Sequence, residues 1–227
     1  MFNRHLPPIT KNLLLINITM FVITNVLIYK EVIDLNWELG LHYFGFDSFR
    51  PFQLITHMFM HASLFDGGDG LGIMHIFSNM LGLYMFGSPL EERLGPKKFL
   101  FLYLASGFGA AFLQLGVNHY QFVGHSDSGI EGLIVQLSNF DVPMVGASGC
   151  IFGLLAAFGM LFPNAEMIMI MLPIPIKAKY FVVLYGVFEL YSGVANFSGD
   201  NVAHFAHVGG ALIGFITVYY WKRTTIL

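Results

Sequence analysis

The chain has 227 residues, 56% of them hydrophobic and only 11% charged, with a mean hydropathy of +0.66. About a quarter of a soluble domain is charged, so this composition excludes a soluble globule and describes a polytopic membrane protein with the lipid bilayer as solvent and no nucleic acid as partner. The net charge of −3 says little by itself, and the lone Cys150 excludes a disulfide framework and a Cys-based zinc site.

Residues 1–11 hold Arg4, Lys11 and the pair Pro7-Pro8, a short basic entry to an uncharged run. That run, residues 12–29, reads as a first transmembrane helix that no cleavage pattern follows. Residues 31–69 mix Trp37, the cluster Tyr43-Phe44-Gly45-Phe46 and the acids Glu31, Asp34, Glu38, Asp47, Asp66 and Asp69. Such aromatic content predicts a structured first outer loop lying partly in the outer leaflet. Within it, residues 53–63 read as helical, which sets His57 and His61 four apart on one face.

A second span at residues 70–90 holds His75 and Asn79, also four apart, in apolar surroundings. Polar side chains at that depth are costly and turn to the bundle interior, either to hydrogen-bond between helices or to do chemistry. Glu91, Glu92, Arg93, Lys97 and Lys98 form a charged turn. Span three, residues 99–117, offers Ser106, Gly107, Gly109 and Ala110 as a close-packing face. Residues 118–144, with Asp127, Glu131 and Asp141, read as a long polar loop.

Span four, residues 145–162, is apolar but opens on Gly146-Ala147-Ser148-Gly149. From Ser148 onward it makes roughly 22 Å of helix, short of a hydrocarbon core of about 30 Å, so the hydroxyl is expected below the membrane surface. Residues 167–176, interrupted by Pro173 and Pro175, read as an interfacial connector. Span five, residues 180–194, contains Glu189 near its far end, where the carboxylate is expected to reach the interface. Span six, residues 202–221, holds His204, His207, Gly209, Gly210 and Gly214.

Six spans put both termini on one side, together with Arg4, Lys11, Arg93, Lys97, Lys98, Lys177, Lys179, Lys222 and Arg223, leaving Lys30 and Arg50 opposite. The positive-inside rule makes that side cytoplasmic, and a multi-pass chain so oriented is expected in a bacterial inner (cell) membrane. The same topology sets Ser148, His75, Asn79 and His207 at one outer depth. Gly149 and Gly153 facing Gly210 and Gly214 would let spans four and six approach until the hydroxyl reaches an imidazole. Packing alone orients such a base, and no intramembrane Asp stands at the right depth to complete a triad.

These residues resemble the rhomboid family of intramembrane serine proteases. Gly146-Ala147-Ser148-Gly149 looks like the family's nucleophile motif, and Ala206-His207-Val208-Gly209-Gly210 like its base motif. His75-Ile76-Phe77-Ser78-Asn79 is similar to its H-x-x-x-N, His61 matches a preceding histidine, and Glu91-Glu92-Arg93-Leu94-Gly95 resembles the turn after the second helix. The resemblance implies an all-α, six-transmembrane-helix rhomboid-like bundle in one domain over residues 1–227. It also implies a serine endopeptidase that cuts single-span membrane proteins within or near the outer leaflet. Ser148 would be the nucleophile and His207 the base. His75, Asn79, Gly146 and the backbone N–H of Ser148 would form the oxyanion site, with no metal or cofactor. Span five, with Phe181, Leu184, Tyr185 and Phe188, would form the lateral gate for substrate.

Three departures concern access more than chemistry: the extra-looking residues 66–72, Phe152 where some members have a tyrosine packed on the catalytic histidine, and Phe49-Arg50 in place of a Trp-Arg pair. Two other readings compete. An inactive rhomboid-like binder of transmembrane helices would lack the Ser or the His, and a metal- or haem-binding protein would use His57 with His61, or His204 with His207.

Overall fold

The computed structural model describes residues 6–65, 71–125, 141–168, 174–195 and 202–224. Most of them are helical, in the order α1 (Pro8–Tyr29), α2 (Leu35–Leu39), α3 (Gln53–Thr56), α4 (Leu71–Leu94), α5 (Pro96–His125), α6 (Ser148–Leu161), α7 (Ala178–Ala195) and α8 (His204–Arg223). Each expected span coincides with a helix: α1, α4, α5, α6, α7 and α8. By length and composition, Pro8–Tyr29 and Pro96–Gly124 are long and apolar enough to cross a membrane, while Ser148–Leu161 is apolar but shorter.

Three expectations change. The mostly helical reading holds, and the connector gains a two-stranded antiparallel pair, β1 (Glu166–Ile168) and β2 (Pro175–Lys177), with Met167 opposite Ile176. A connector too short to cross a bilayer satisfies its backbone groups by pairing with itself; residues 169–173 lie outside the described residues. The polar loop after span three begins later than expected, because α5 runs on to His125; its acids Asp127 and Glu131 fall outside the described residues. So do residues 66–70 of the extra-looking stretch. The helix at residues 53–63 stops early, since α3 passes into a 3-10 turn (His57–Phe59) and Met60 is extended. His57 and His61 therefore do not share a helical face.

Helix α1 begins where Pro8 costs no intrahelical hydrogen bond. Its first amides, Ile9 and Thr10, donate to the Glu91 carboxylate at 2.9 and 2.7 Å, and Thr10 Oγ1 donates to it at 2.8 Å. Glu91 is thus a buried cap on a positive helix end, not a member of an exposed charged turn. Gly95, at φ +78°, ends α4, and Pro96 starts α5. The Gly-Pro pair thereby turns the chain sharply enough to bring α5 back along α4.

Helix α6 is the central element and is buried on nearly all sides, as expected of a helix with no polar face. It packs on α4, α5, α7 and α8, and Leu83, Leu90, Leu102 and Tyr103 fill the core around its Leu154. The close approach of α6 and α8 depends on glycine. A Cβ at Gly210 would fall on the Gly149 carbonyl, and one at Gly214 on the Gly153 carbonyl.

The segment between α1 and α4 is ordered by polar side chains. Gln53 accepts from Arg50 N at 2.9 Å and donates to the Glu38 and Ser48 carbonyls, each at 3.1 Å. The buried His42 ring pairs with Asp141 at 3.1 Å. Leu41 and Met144 exchange both backbone hydrogen bonds at 2.9 Å, which ties this loop to the chain just before Ser148.

His57 lies in that loop, outside the spanning helices, and burial lowers its imidazole to about 4. Its ordinary value is near 6.5, so an unfolded chain takes up a proton that the folded chain refuses. Stability is therefore full above about pH 6.5 and falls as the pH drops from there toward 4. The melting temperature in detergent should be flat from pH 8 to 7 and decline below about 6.5, with a shallower decline in His57→Gln. An equal decline in both proteins would remove His57 as the cause.

Candidate active site

The segment before α6 sets Ser148. Gly146 has φ +136°, a conformation closed to L side chains, and its N–H donates to the His57 carbonyl at 3.0 Å. Ala147 then caps α6, and Ser148 is the first residue of the helix. Its hydroxyl therefore stands beside the first backbone N–H groups, which have no intrahelical acceptor and carry the positive end of the helix dipole.

His207, in the first turn of α8, lies across from it. Ser148 Oγ is 2.9 Å from His207 Nε2, within hydrogen-bond reach. Phe152, one turn further along α6, stacks on the imidazole with ring centroids 4.2 Å apart and planes 9° apart. Phe152, at the position where some family members are expected to carry a tyrosine, thus packs on His207.

His75 reaches the same spot from α4. Its Nδ1 accepts from Ala62 N at 3.2 Å, which leaves the proton on Nε2. A Cβ built on Gly146 would lie 3.1 Å from His75 Nε2 and 3.4 Å from Ser148 Oγ. The missing side chain of Gly146 is thus the space between a hydroxyl and an N–H donor. The Gly146 amide is given to the His57 carbonyl, so what Gly146 lends to the expected oxyanion site is room. Asn79 is buried and donates from Nδ2 to the His75 carbonyl at 2.7 Å, which keeps one N–H of that amide uncommitted by this bond. His61 packs edge-on to His75 at 5.3 Å and bonds Asn17 at 2.9 Å.

Glu189 was expected at the interface, but it is 3% exposed and its Oε2 accepts from both His204 Nδ1, at 2.7 Å, and His207 Nδ1, at 2.8 Å. The expectation that His207 has no acid partner is corrected by that second bond. The available signal was an ionisable residue near the end of span five, a short connection away from two histidines opening span six. The ligand-capable atoms of Glu189, His204 and His207 lie within 4.8 Å of one another, so they also have the reach to hold a metal ion.

A family model described as the Rhomboid domain matches residues 48–224. The chain belongs to the rhomboid family. Among the relatives of this rhomboid is "RHOMBOID-like protein 12, mitochondrial" of Arabidopsis thaliana, 30% identical over 79% of this chain and 48% of the relative. "Rhomboid protein 1, mitochondrial" of Saccharomyces cerevisiae is 30% identical over 66% of this chain and 38% of the relative. "Rhomboid protease GlpG" of Yersinia pestis is 24% identical over 96% of this chain and 64% of the relative. This rhomboid therefore spans about half or less of the plant and yeast relatives, and just under two thirds of the Yersinia protein.

The expected location is corrected by these relatives. A bacterial inner membrane with cytoplasmic termini was read from loop charges, yet the plant and yeast relatives are named as mitochondrial proteins. Charge bias reports which side of a bilayer the chain ends occupy, not which bilayer it is.

Proposed function

We propose that this rhomboid is an intramembrane serine endopeptidase, a single domain of six transmembrane helices that cuts single-span membrane proteins within or near the leaflet on its acidic-loop side. The observation that carries the reading is the 2.9 Å contact between Ser148 Oγ and His207 Nε2 at the end of a buried apolar helix. The names of the plant and yeast relatives favour a mitochondrial membrane, with both termini on the basic side.

In this mechanism Ser148 Oγ attacks the scissile carbonyl carbon as its proton passes to His207 Nε2. The carbonyl electrons move onto oxygen, where the Ser148 N–H, the His75 Nε2–H and an Asn79 N–H receive them. Collapse of the oxyanion breaks the C–N bond, and His207 returns the proton to the leaving amine. Water then attacks the acyl-serine by the same relay in reverse. No cofactor enters any step.

A fluorophosphonate probe tests this directly. It should label Ser148 alone, stoichiometrically, in protein purified in mild detergent, and should fail on His207→Ala. Labelling elsewhere, or undiminished labelling of that variant, would remove the dyad.

The cluster Glu189, His204 and His207 favours a metal-binding alternative. The two readings exclude each other at His207, because a metal on Nδ1 leaves the proton on Nε2, which then cannot accept from Ser148. Cleavage that survives exhaustive chelation, with no metal in the purified protein, decides for the protease. The inactive-binder reading lacks support, since both dyad residues are present and in contact.

Substrate entry is assigned to α7. Leu184 and Phe188 are 63% and 56% exposed on it, while Phe181 and Tyr185 turn inward to the cluster around Phe152 that also takes in Phe86 of α4. Phe181→Ala should raise cleavage of a transmembrane substrate several-fold without changing that of a soluble peptide, and Leu184→Ala should change neither. Parallel changes in both substrates would refute the gate.

A further inference from the structure

His207 has two ring nitrogens, and a base needs a defined proton on each. Nε2 faces Ser148 at 2.9 Å and must be bare to accept the hydroxyl proton. Nδ1 faces Glu189 Oε2 at 2.8 Å and therefore carries the hydrogen. The Phe152 ring fixes the plane of the imidazole, but stacking does not distinguish one nitrogen from the other. Only a group in the ring plane selects the tautomer, and Glu189 is that group.

A buried carboxylate in an apolar helix is costly unless hydrogen bonds compensate it. His204 supplies the second one, to the same oxygen, at 2.7 Å. A clamp serving only to join α7 to α8 would be complete with His204 alone. Engaging the nitrogen opposite the reacting one adds something a clamp does not need.

We infer that Glu189 is a positioning residue of the proposed reaction. Its carboxylate holds His207 with the proton on Nδ1 and places a negative charge beside the imidazolium formed when Nε2 takes the Ser148 proton, while His204 holds the carboxylate in place. Glu189 gains and loses no proton in the cycle. The inference rests on the serine-protease reading above and adds to its dyad a third residue that orients the base and takes no proton. The acid comes from α7, the helix also assigned to substrate entry.

Glu189→Gln tests it. Gln has the same volume and still accepts a hydrogen bond, but it is neutral, and its amide can turn an N–H toward Nδ1 and favour the unproductive tautomer. We expect kcat on a soluble peptide to fall about 10²-fold with KM and melting temperature unchanged. That is less than the ~10⁴ lost by the corresponding change in soluble triad proteases, because the Phe152 stack survives. Fluorophosphonate labelling of Ser148 should slow in proportion. Glu189→Asp, which keeps the charge on a shorter arm, should recover at least a third of the lost logarithm of kcat. His204→Ala, which loosens the carboxylate without removing it, should cost less than Glu189→Gln.

Wild-type kcat in Glu189→Gln would overturn the inference, and so would a loss that tracks a fall in melting temperature or that Asp fails to recover. Failure of the protease reading looks different: there, the unsubstituted protein would not cleave, or Ser148→Ala would cleave as well as it does.

Discussion

Ser148→Ala and His207→Ala should each reduce cleavage of a single-span substrate in proteoliposomes to background, while melting temperature and detergent elution stay those of the parent. Ser148 Oγ and His207 Nε2 are each other's partner at 2.9 Å, so removal of either leaves no group that both attacks and transfers a proton. In soluble serine proteases the loss of either member costs about as much as the loss of the whole set, on the order of 10⁶ in turnover. A loss of that size takes a membrane protease below detection. His75→Ala should behave differently, slowing turnover by about 10²–10³ with cleavage still measurable, because one oxyanion donor of several is lost. Cleavage by Ser148→Ala above a no-enzyme control would refute the assignment. Full activity of His75→Ala would return that residue to a packing role.

Gly210→Val and Gly214→Val should prevent folding. A Cβ at either position would land on a backbone carbonyl of α6, that of Gly149 or Gly153. A clash with a flexible side-chain tip is relieved by rotation, and overpacking of side chains typically costs about 1–3 kcal/mol. Backbone against backbone has no such relief, so α6 and α8 must separate, and Ser148 moves away from His207 with them. Loss of expression as a detergent-stable monodisperse species is the expected result for Gly210→Val. A stable and active variant would mean that the two helices are not held at this distance. Gly116→Val on α5 is the control, because a Cβ there meets nothing within 4 Å.

Gly210 and Ser148 illustrate how different kinds of information were legible. The helices were readable because apolar runs bounded by charges have one stable answer in lipid, a span with internal hydrogen bonds. Their ends were less so. Glu91 reads as one more charge in a polar turn, and only tertiary contact reveals it as the cap of α1, 81 residues away from Thr10. His57 and His61 have helical spacing, but the helix stops at Phe59, so the spacing carried no face. Gly146 has its amide taken by a carbonyl from a distant loop, a contact that only the tertiary structure reveals.

By itself the sequence determined the membrane character, the helix positions, Ser148 and His207 as candidates for one site, and the glycine seam between their helices, because composition, run length and residue type decide those locally. The partner of His207 was decided only by the tertiary structure. Whether Glu189 reaches the interface or an imidazole depends on the rotation of α7 against α8, and that rotation is set by packing with neighbours whose apolar side chains are chemically alike. A lone carboxylate in an apolar helix announces that it needs partners. Which partners it finds, here His204 and His207 on one oxygen, is fixed only when the helices pack.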